Sequence, residues 1–207
     1  MTISNLEYEK KHRELGVTYI AGVDEVGRGP LAGPVVCASV IMPLDDDKII
    51  EGITDSKKIS EKKRKVLSDK IKEVALSYCI YEISPEVIDE INILEATKKC
   101  MSSAVNGLKI EPEVVFVDAL KLDISYPQES IIKGDALSYS IGAASIIAKV
   151  YRDELMEKLD ETYPEYGFKK HKGYGTKAHI DTIKEIGPCP IHRKTFIKNF
   201  WGQKEKK

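Results

Sequence analysis

The segment Asp24-Glu25-Val26-Gly27-Arg28-Gly29 sets two acids side by side, directly after the short apolar run Tyr19–Val23. Adjacent carboxylates repel and raise each other's pKa, and a divalent cation between them removes that cost. Neighbouring side chains on a strand leave opposite faces, so symmetric chelation needs the strand to end or bulge at the pair; the glycines that follow supply that freedom. A polar turn cap would also account for this pair taken alone. Asp118 ends a second apolar run, Val114–Val117. A lone acid at a strand end says little. Beside Asp24 in one sheet it becomes a metal ligand, since sites in open α/β sheets gather at the carboxyl ends of the strands.

The fourth acid is Asp135, in Lys133-Gly134-Asp135 before a long helical pattern, and its competitor is Asp153. A straight helix from Ser138 to Asp153 would separate its ends by roughly 22 Å at 1.5 Å per residue, so the two cannot share one metal cluster. Asp135 sits at the loop end within reach of the other acids and is the one chosen. Asp153 is expected to face solvent or pair with a neighbouring cation. Carboxylates without clustered His or Cys favour a hard cation, Mg²⁺ or Mn²⁺, over zinc. Two such ions can activate a water and stabilise the leaving oxygen of a phosphodiester. No general-base histidine is then required, and His12, His171, His179 and His192 are expected at the surface or facing phosphate.

Two segments suit phosphates and sugars. Thr54-Asp55-Ser56-Lys57-Lys58 offers hydroxyls and ammoniums, and His171-Lys172-Gly173-Tyr174-Gly175-Thr176 mixes cations, glycines and one aromatic before a helix. These groups and helix N-termini are the usual contacts to a nucleic-acid backbone. Tyr174 can stack on a base or sugar, or pack at a domain edge.

The elements that must hold these groups are legible from pattern. Strands are expected at Tyr19–Val23, Val35–Ile41, Tyr78–Ile83, Val114–Val117 and Glu129–Lys133. A helix capped by Ser60 runs to about Leu76 with Val66, Leu67, Ile71, Val74 and Ala75 as its buried stripe. Ser84-Pro85 opens another that breaks near Asn92 and ends at Gly107. Ser138–Glu161 is a long helix whose small residues permit close packing, and Thr176–Ile186 is the last clear one. This succession indicates an α/β layered domain over residues 1–162 with a basic helical extension over 163–207.

Composition agrees with a soluble protein: 42% hydrophobic and 31% charged residues in a chain of 207. Met1–Gly16 is polar and has no apolar core of a secretory signal, and no apolar run approaches the roughly 20 residues that span a bilayer, so a cytoplasmic location is expected. The four dispersed cysteines are expected as free thiols. The net charge of −1 conceals an asymmetry: from Tyr163 onward eleven Lys or Arg face four Asp or Glu, a balance of +7, which leaves −8 elsewhere. A basic tail beside an acidic body can hold a polyanion against metal-binding carboxylates.

The run Asp24-Glu25-Val26-Gly27-Arg28-Gly29-Pro30-Leu31-Ala32-Gly33-Pro34 resembles the opening motif of ribonuclease HII, the type 2 ribonuclease H family. Thr54–Lys58, Lys133–Asp135, Ala143–Val150 and His171–Tyr174 continue the match in order, from about Tyr19 to Phe196. The resemblance implies an RNase H-like mixed sheet flanked by helices, with a C-terminal helical extension. It implies cleavage of RNA in RNA–DNA hybrids and of single ribonucleotides embedded in duplex DNA. By resemblance, Asp24, Glu25, Asp118 and Asp135 hold the metals, Gly27, Arg28 and Gly29 read the ribose 2′-OH, and Tyr174 senses the RNA-to-DNA junction. The 2′-OH is what distinguishes RNA from DNA at one position, so close backbone approach there is physically sensible. Thr54, Ser56, Lys57, Lys58 and Lys172 are the expected further substrate contacts. Little sequence follows Trp201, which fits the single-chain bacterial type and a monomer. Another RNase H-like nuclease, such as a junction resolvase, would share the acids without needing Gly-Arg-Gly. A non-catalytic RNA-binding module would show stacking aromatics on a sheet, which a 7% aromatic content does not provide.

Overall fold

The computed structural model describes residues 5–201. Five strands form one sheet: β1 (Ile20–Val26), β2 (Val35–Ile41), β3 (Ser77–Ile83), β4 (Val114–Asp118) and β5 (Gln128–Ile131), in the order β3-β2-β1-β4-β5. The β1–β2 and β2–β3 pairs are antiparallel, while β1–β4 and β4–β5 are parallel. This mixed sheet is the α/β architecture expected from the alternation of apolar runs and helical patterns. The N-terminal helix α1 (Glu7–Glu14), which the sequence reading did not include, packs Tyr8 and His12 edge-on against Phe116 of β4.

Strand β1 is longer than its apolar pattern. It continues through Asp24 and Glu25 to Val26 because β2 keeps pairing with it, Asp24 to Ala38, Glu25 to Cys37 and Val26 to Val36. The acid pair therefore lies inside the strand rather than after its end.

Helices cover both faces. On one, α3 (Pro85–Ile91) and α4 (Ile93–Asn106) bury Ala96, Cys100, Met101 and Ala104 against Val23, Cys37 and Val117. The break between them is Asn92, at φ 67°, whose Oδ1 accepts from the Leu94 and Glu95 amides. On the other face lie α2 (Glu61–Val74), with Leu67 and Ile71 buried, and the 24-residue α6 (Tyr139–Thr162). Val66 does not join the α2 stripe as expected; it is exposed, because Arg64 and Ser68 occupy the inward positions instead. Each fully buried aliphatic side chain here, such as Ile146 or Ile147, contributes roughly 1.5–3 kcal/mol.

The approach of α6 to β1 is the contact that places the site. A Cβ on Gly22 would fall 2.1 Å from the Ser140 carbonyl carbon, so only glycine lets the helix N-terminus seat there. Ser138 caps α6, its Oγ accepting from the Ile141 amide, and the buried Glu9 of α1 accepts from the Ser138 hydroxyl at 2.6 Å and the Ser140 amide at 2.9 Å. The short α5 (Gly134–Leu137) precedes it. Beyond α6, α7 (Phe168–His171), α8 (Lys177–Ile186) and α9 (Lys194–Ile197) gather Phe168, Ile183 and Ile197 around Met156 and Ala32, a small core of their own. All four cysteines are free thiols. No helix among the described residues is long and apolar enough to cross a membrane. The expectation for the segment after Trp201 lies outside the described residues.

Candidate active site

Asp118 ends β4, and Asp24 stands beside it inside β1, each one step beyond the Val23–Val117 pairing of these parallel strands. Alternation puts Asp24 on the α6 face, and Glu25 shares its face with Cys37. The β1–β4 ladder ends at Val23–Val117, so the edge of β1 beyond it is open and the longer Glu25 side chain reaches round it. Ligand oxygens of Asp24, Glu25 and Asp118 all lie within 4.8 Å of one another. The Glu25 amide donates to Asp24 Oδ1 at 2.7 Å, and the Gly134 amide donates to Asp118 Oδ1 at 2.7 Å.

This packing is electrostatically costly. Burial, then the charges of Glu25 and Asp118, push the Asp24 carboxyl well above the usual carboxylate range. Burial also raises Glu25, against the nearby Arg28 guanidinium, which lowers it. Glu25 Oε2 is buried without a hydrogen-bond partner. Three crowded acids with an orphaned oxygen fit a divalent ion, which accepts oxygen ligands and cancels the repulsion. The residues present can therefore hold a metal.

Asp135 lies in the first turn of α5, outside this tight triple. Burial, Asp55 and then Asp118 raise its pKa, so its carboxyl feels the charge of the same cluster. Asp153 is 7% exposed, bonded to Lys149 at 2.7 Å and 3.9 Å from Arg64, and takes no part in the cluster.

The loop after β1 is tightly constrained. Gly27 has φ +91°, and a Cβ there would fall 2.2 Å from Arg152 Nε. Arg152 and Arg193 are fully buried, and neither forms an ion pair with an acid among the described residues. Arg193 donates instead to the carbonyls of Gly27, Arg28 and Gly33, and Arg152 to those of Ala32, Pro34 and Lys172. Burial lowers both guanidinium pKa values, to about 10 for Arg152 and about 9 for Arg193. Neither arginine stood out in the sequence; the one available signal was a cation inside the small-residue, apolar pattern of α6.

The same clamp brings in the Tyr174 loop. Leu31 N–H donates to Gly173 O at 2.8 Å, and the half-exposed Tyr174 ring passes 3.7 Å from where a Gly29 Cβ would stand. Gly29 and Arg28 are exposed beside it, Arg28 Nη1 lying 3.4 Å from Glu25 Oε1. Lys57 and Lys58 are exposed, and Thr54 is half-buried. Ser56 is turned inward, its hydroxyl accepting from Ser145 at 2.9 Å, and the Ser145 side chain offsets part of the rise in the Asp24 pKa. Lys172 Nζ is bonded to Glu157 at 2.7 Å. His179 and His192 are buried rather than at the surface, because the small core of α7–α9 closes over them.

Comparison with known proteins gives the family and agrees with the fold. A family model described as Ribonuclease HII matches residues 21–203. The ribonuclease HII of Bacillus cytotoxicus is 56% identical over 190 residues, 92% of this chain and 73% of that protein. The ribonuclease H2 of Pyrococcus horikoshii OT3 superposes with a TM-score of 0.72 at 31% identity, over 88% of this chain and 96% of that one. The ribonuclease HII of Archaeoglobus fulgidus, solved in complex with PCNA, gives 0.75 at 28% identity, over 88% and 96% of the two chains. With a family match over residues 21–203, the chain belongs to the ribonuclease HII family and is a ribonuclease H, a hydrolase acting on RNA in RNA–DNA hybrids.

Proposed function

We propose that the chain cleaves the RNA strand of hybrids, and single ribonucleotides within duplex DNA, by two-metal-ion hydrolysis with Mg²⁺ or Mn²⁺. The observation that carries this is the convergence of Asp24, Glu25 and Asp118 within 4.8 Å, with Glu25 Oε2 unpartnered. Asp24, Glu25 and Asp118 would hold the ions, with Asp135 contributing from α5. When bound, divalent ions supply charge stabilisation to the attacking water and to the leaving oxygen. Backbone amides orient the ligands, Glu25 N–H through Asp24 and Gly134 N–H through Asp118.

Recognition in this reading belongs to backbone and ring. Gly27–Gly29 bring main-chain groups up to a ribose 2′-OH, and Tyr174 packs on the following sugar, where a hydroxyl would crowd it. Lys57 and Lys58, exposed at the end of their loop, contact phosphate, as do the exposed lysines of the 163–207 extension. Ser56 supports Ser145 from within, and Lys172 acts while held by Glu157. A nucleic-acid substrate suits a monomer working in the cytoplasm.

The test is one incubation series. Labelled hybrid, and a duplex carrying one ribonucleotide, are presented with Mg²⁺, with Mn²⁺, and after exhaustive chelation. Both substrates should be cut with either metal and neither without it. Full activity after chelation would end the reading.

A further inference from the structure

Beneath Tyr174 lies a line of imidazoles to which no role has been given. His179 Nδ1 is 2.9 Å from Tyr174 O, His179 Nε2 is 3.0 Å from His192 Nε2, and the Cys189 amide donates to His192 Nδ1 at 3.0 Å. A third ring, His171, stacks on His179 at 4.3 Å and accepts from the Gly173 amide through Nδ1. His179 and His192 are buried against Phe168, and His192 also against Tyr166.

The protons of this line follow from its ends. Tyr174 O can only accept, so His179 Nδ1 carries a hydrogen and its Nε2 presents a lone pair. His192 Nε2 must then carry the next hydrogen, which leaves His192 Nδ1 as the acceptor for the Cys189 N–H. Every bond runs in one direction, from Cys189 through both rings to the Tyr174 carbonyl. A second proton on His179 would set two N–H groups head to head at the 3.0 Å contact, and one on His192 would meet the Cys189 N–H at Nδ1. Burial agrees with neutral rings, lowering both histidines to about 4.

We propose that His179 and His192 are positioning residues: a buried neutral imidazole relay that fixes the Tyr174 backbone, and with it the ring's standing against Gly29, so that it sets the preference for a ribonucleotide followed by DNA. The rest of the loop supports this. Lys172 O is held by Arg152 and Gly173 O by Leu31, so residues 172 and 173 are anchored to the Gly-Arg-Gly side of the site. The Tyr174 carbonyl is the next peptide along, and its bonds are to the Thr176 amide and to His179. A tilt of that peptide swings the exposed ring across the face next to Gly29. The inference rests on the reading of Tyr174 as the junction sensor.

Two amides separate the relay from simple packing. In the full chain with Mg²⁺, His179→Asn places an amide where Nδ1 stood and keeps a donor for Tyr174 O. His179→Gln places it where Nε2 stood and keeps only the His192 end. The readout is kcat/KM on a single embedded ribonucleotide divided by kcat/KM on a continuous hybrid. His179→Gln should lower this ratio about fivefold, the worth of one lost hydrogen bond, and His179→Asn should stay within about twofold of the parent. Equal ratios in the two variants, with Tyr174→Ala shifting the ratio, would overturn the relay while leaving Tyr174 as the sensor. An unshifted ratio in Tyr174→Ala would remove the sensor itself and the relay's purpose with it. If the His179 variants do not fold, His192→Gln, which keeps the Nε2 donor, and His192→Leu, which lacks it, give the same comparison from the other ring.

Discussion

Arg193 Nη2 lies 2.6 Å from the carbonyl oxygen of Gly27, so a buried cation holds the first glycine of the loop after β1. The same guanidinium reaches Arg28 O at 2.9 Å and Gly33 O at 2.8 Å. The loop's carbonyls thus face the arginine, and its exposed edge remains for a substrate.

Replacing Arg193 with Met keeps much of the volume and leaves those carbonyls without donors. Each unsatisfied buried group costs about 1–3 kcal/mol. Arg193→Met should therefore lower the thermal midpoint clearly and weaken cleavage of a single embedded ribonucleotide more than its loss of stability explains. Lysine restores the charge but not the fork geometry, so Arg193→Lys should recover part of each effect. Activity per folded molecule equal to the parent in both variants would show that the loop holds its shape without the clamp.

A second expectation concerns pH. Glu9 is buried at the N-terminus of α6, and burial raises its pKa above the ordinary glutamate value even though Ser138 and Ser140 lower it in part. A carboxyl raised in the fold binds its proton more tightly there than in the unfolded chain. Its contribution is complete below the unfolded pKa and is lost as pH rises through the folded one. Glu9→Gln keeps an acceptor oxygen for both donors and has no charge to bury. Its thermal midpoint relative to the parent should improve between pH 5 and pH 8. A variant that loses ground over that range would mean the ionised carboxylate stabilises the helix end.

Asp135 and Asp153 should separate cleanly. Asp135 faces Asp118 and Asp55, whereas Asp153 is tied to Lys149 and Arg64. Asp135→Asn should cut turnover by orders of magnitude at nearly parental stability. Asp153→Asn leaves Lys149 short of its partner and should cost about 3 kcal/mol of stability, with turnover per folded molecule retained. The opposite ranking would place the metal site along α6 instead of at its start.

How far the chain could be read before folding depends on what kind of signal each feature leaves. β2 and the cap Ser60 stand where pattern puts them, because apolar runs and cap chemistry are local. Strand β1 outruns its apolar pattern, since Asp24 and Glu25 are held in it by pairing with Ala38 and Cys37, which no local propensity records. The acids were visible as types at strand ends. That Glu25 rather than Asp135 completes the tight triple depends on where the β1–β4 ladder stops. Arg152 left one weak signal, a cation in the apolar pattern of α6, and Arg193 and the His179–His192 pair left none. Their partners are backbone atoms or residues far along the chain, so nothing in their own neighbourhoods marks them.

The central claim is that Asp24, Glu25 and Asp118 hold the metal on which cleavage depends, with substrate held mainly by other groups. The most direct measurement sets binding and single-turnover cleavage side by side for Asp118→Asn, on a duplex carrying one ribonucleotide, with Mg²⁺. The change removes one charge from the cluster and keeps the side chain's shape, while the exposed lysines proposed to meet phosphate are untouched. Affinity within a few-fold of the parent and cleavage lower by several orders of magnitude is the expected result. Cleavage at close to the parental rate would take Asp118 out of the site and contradict the account.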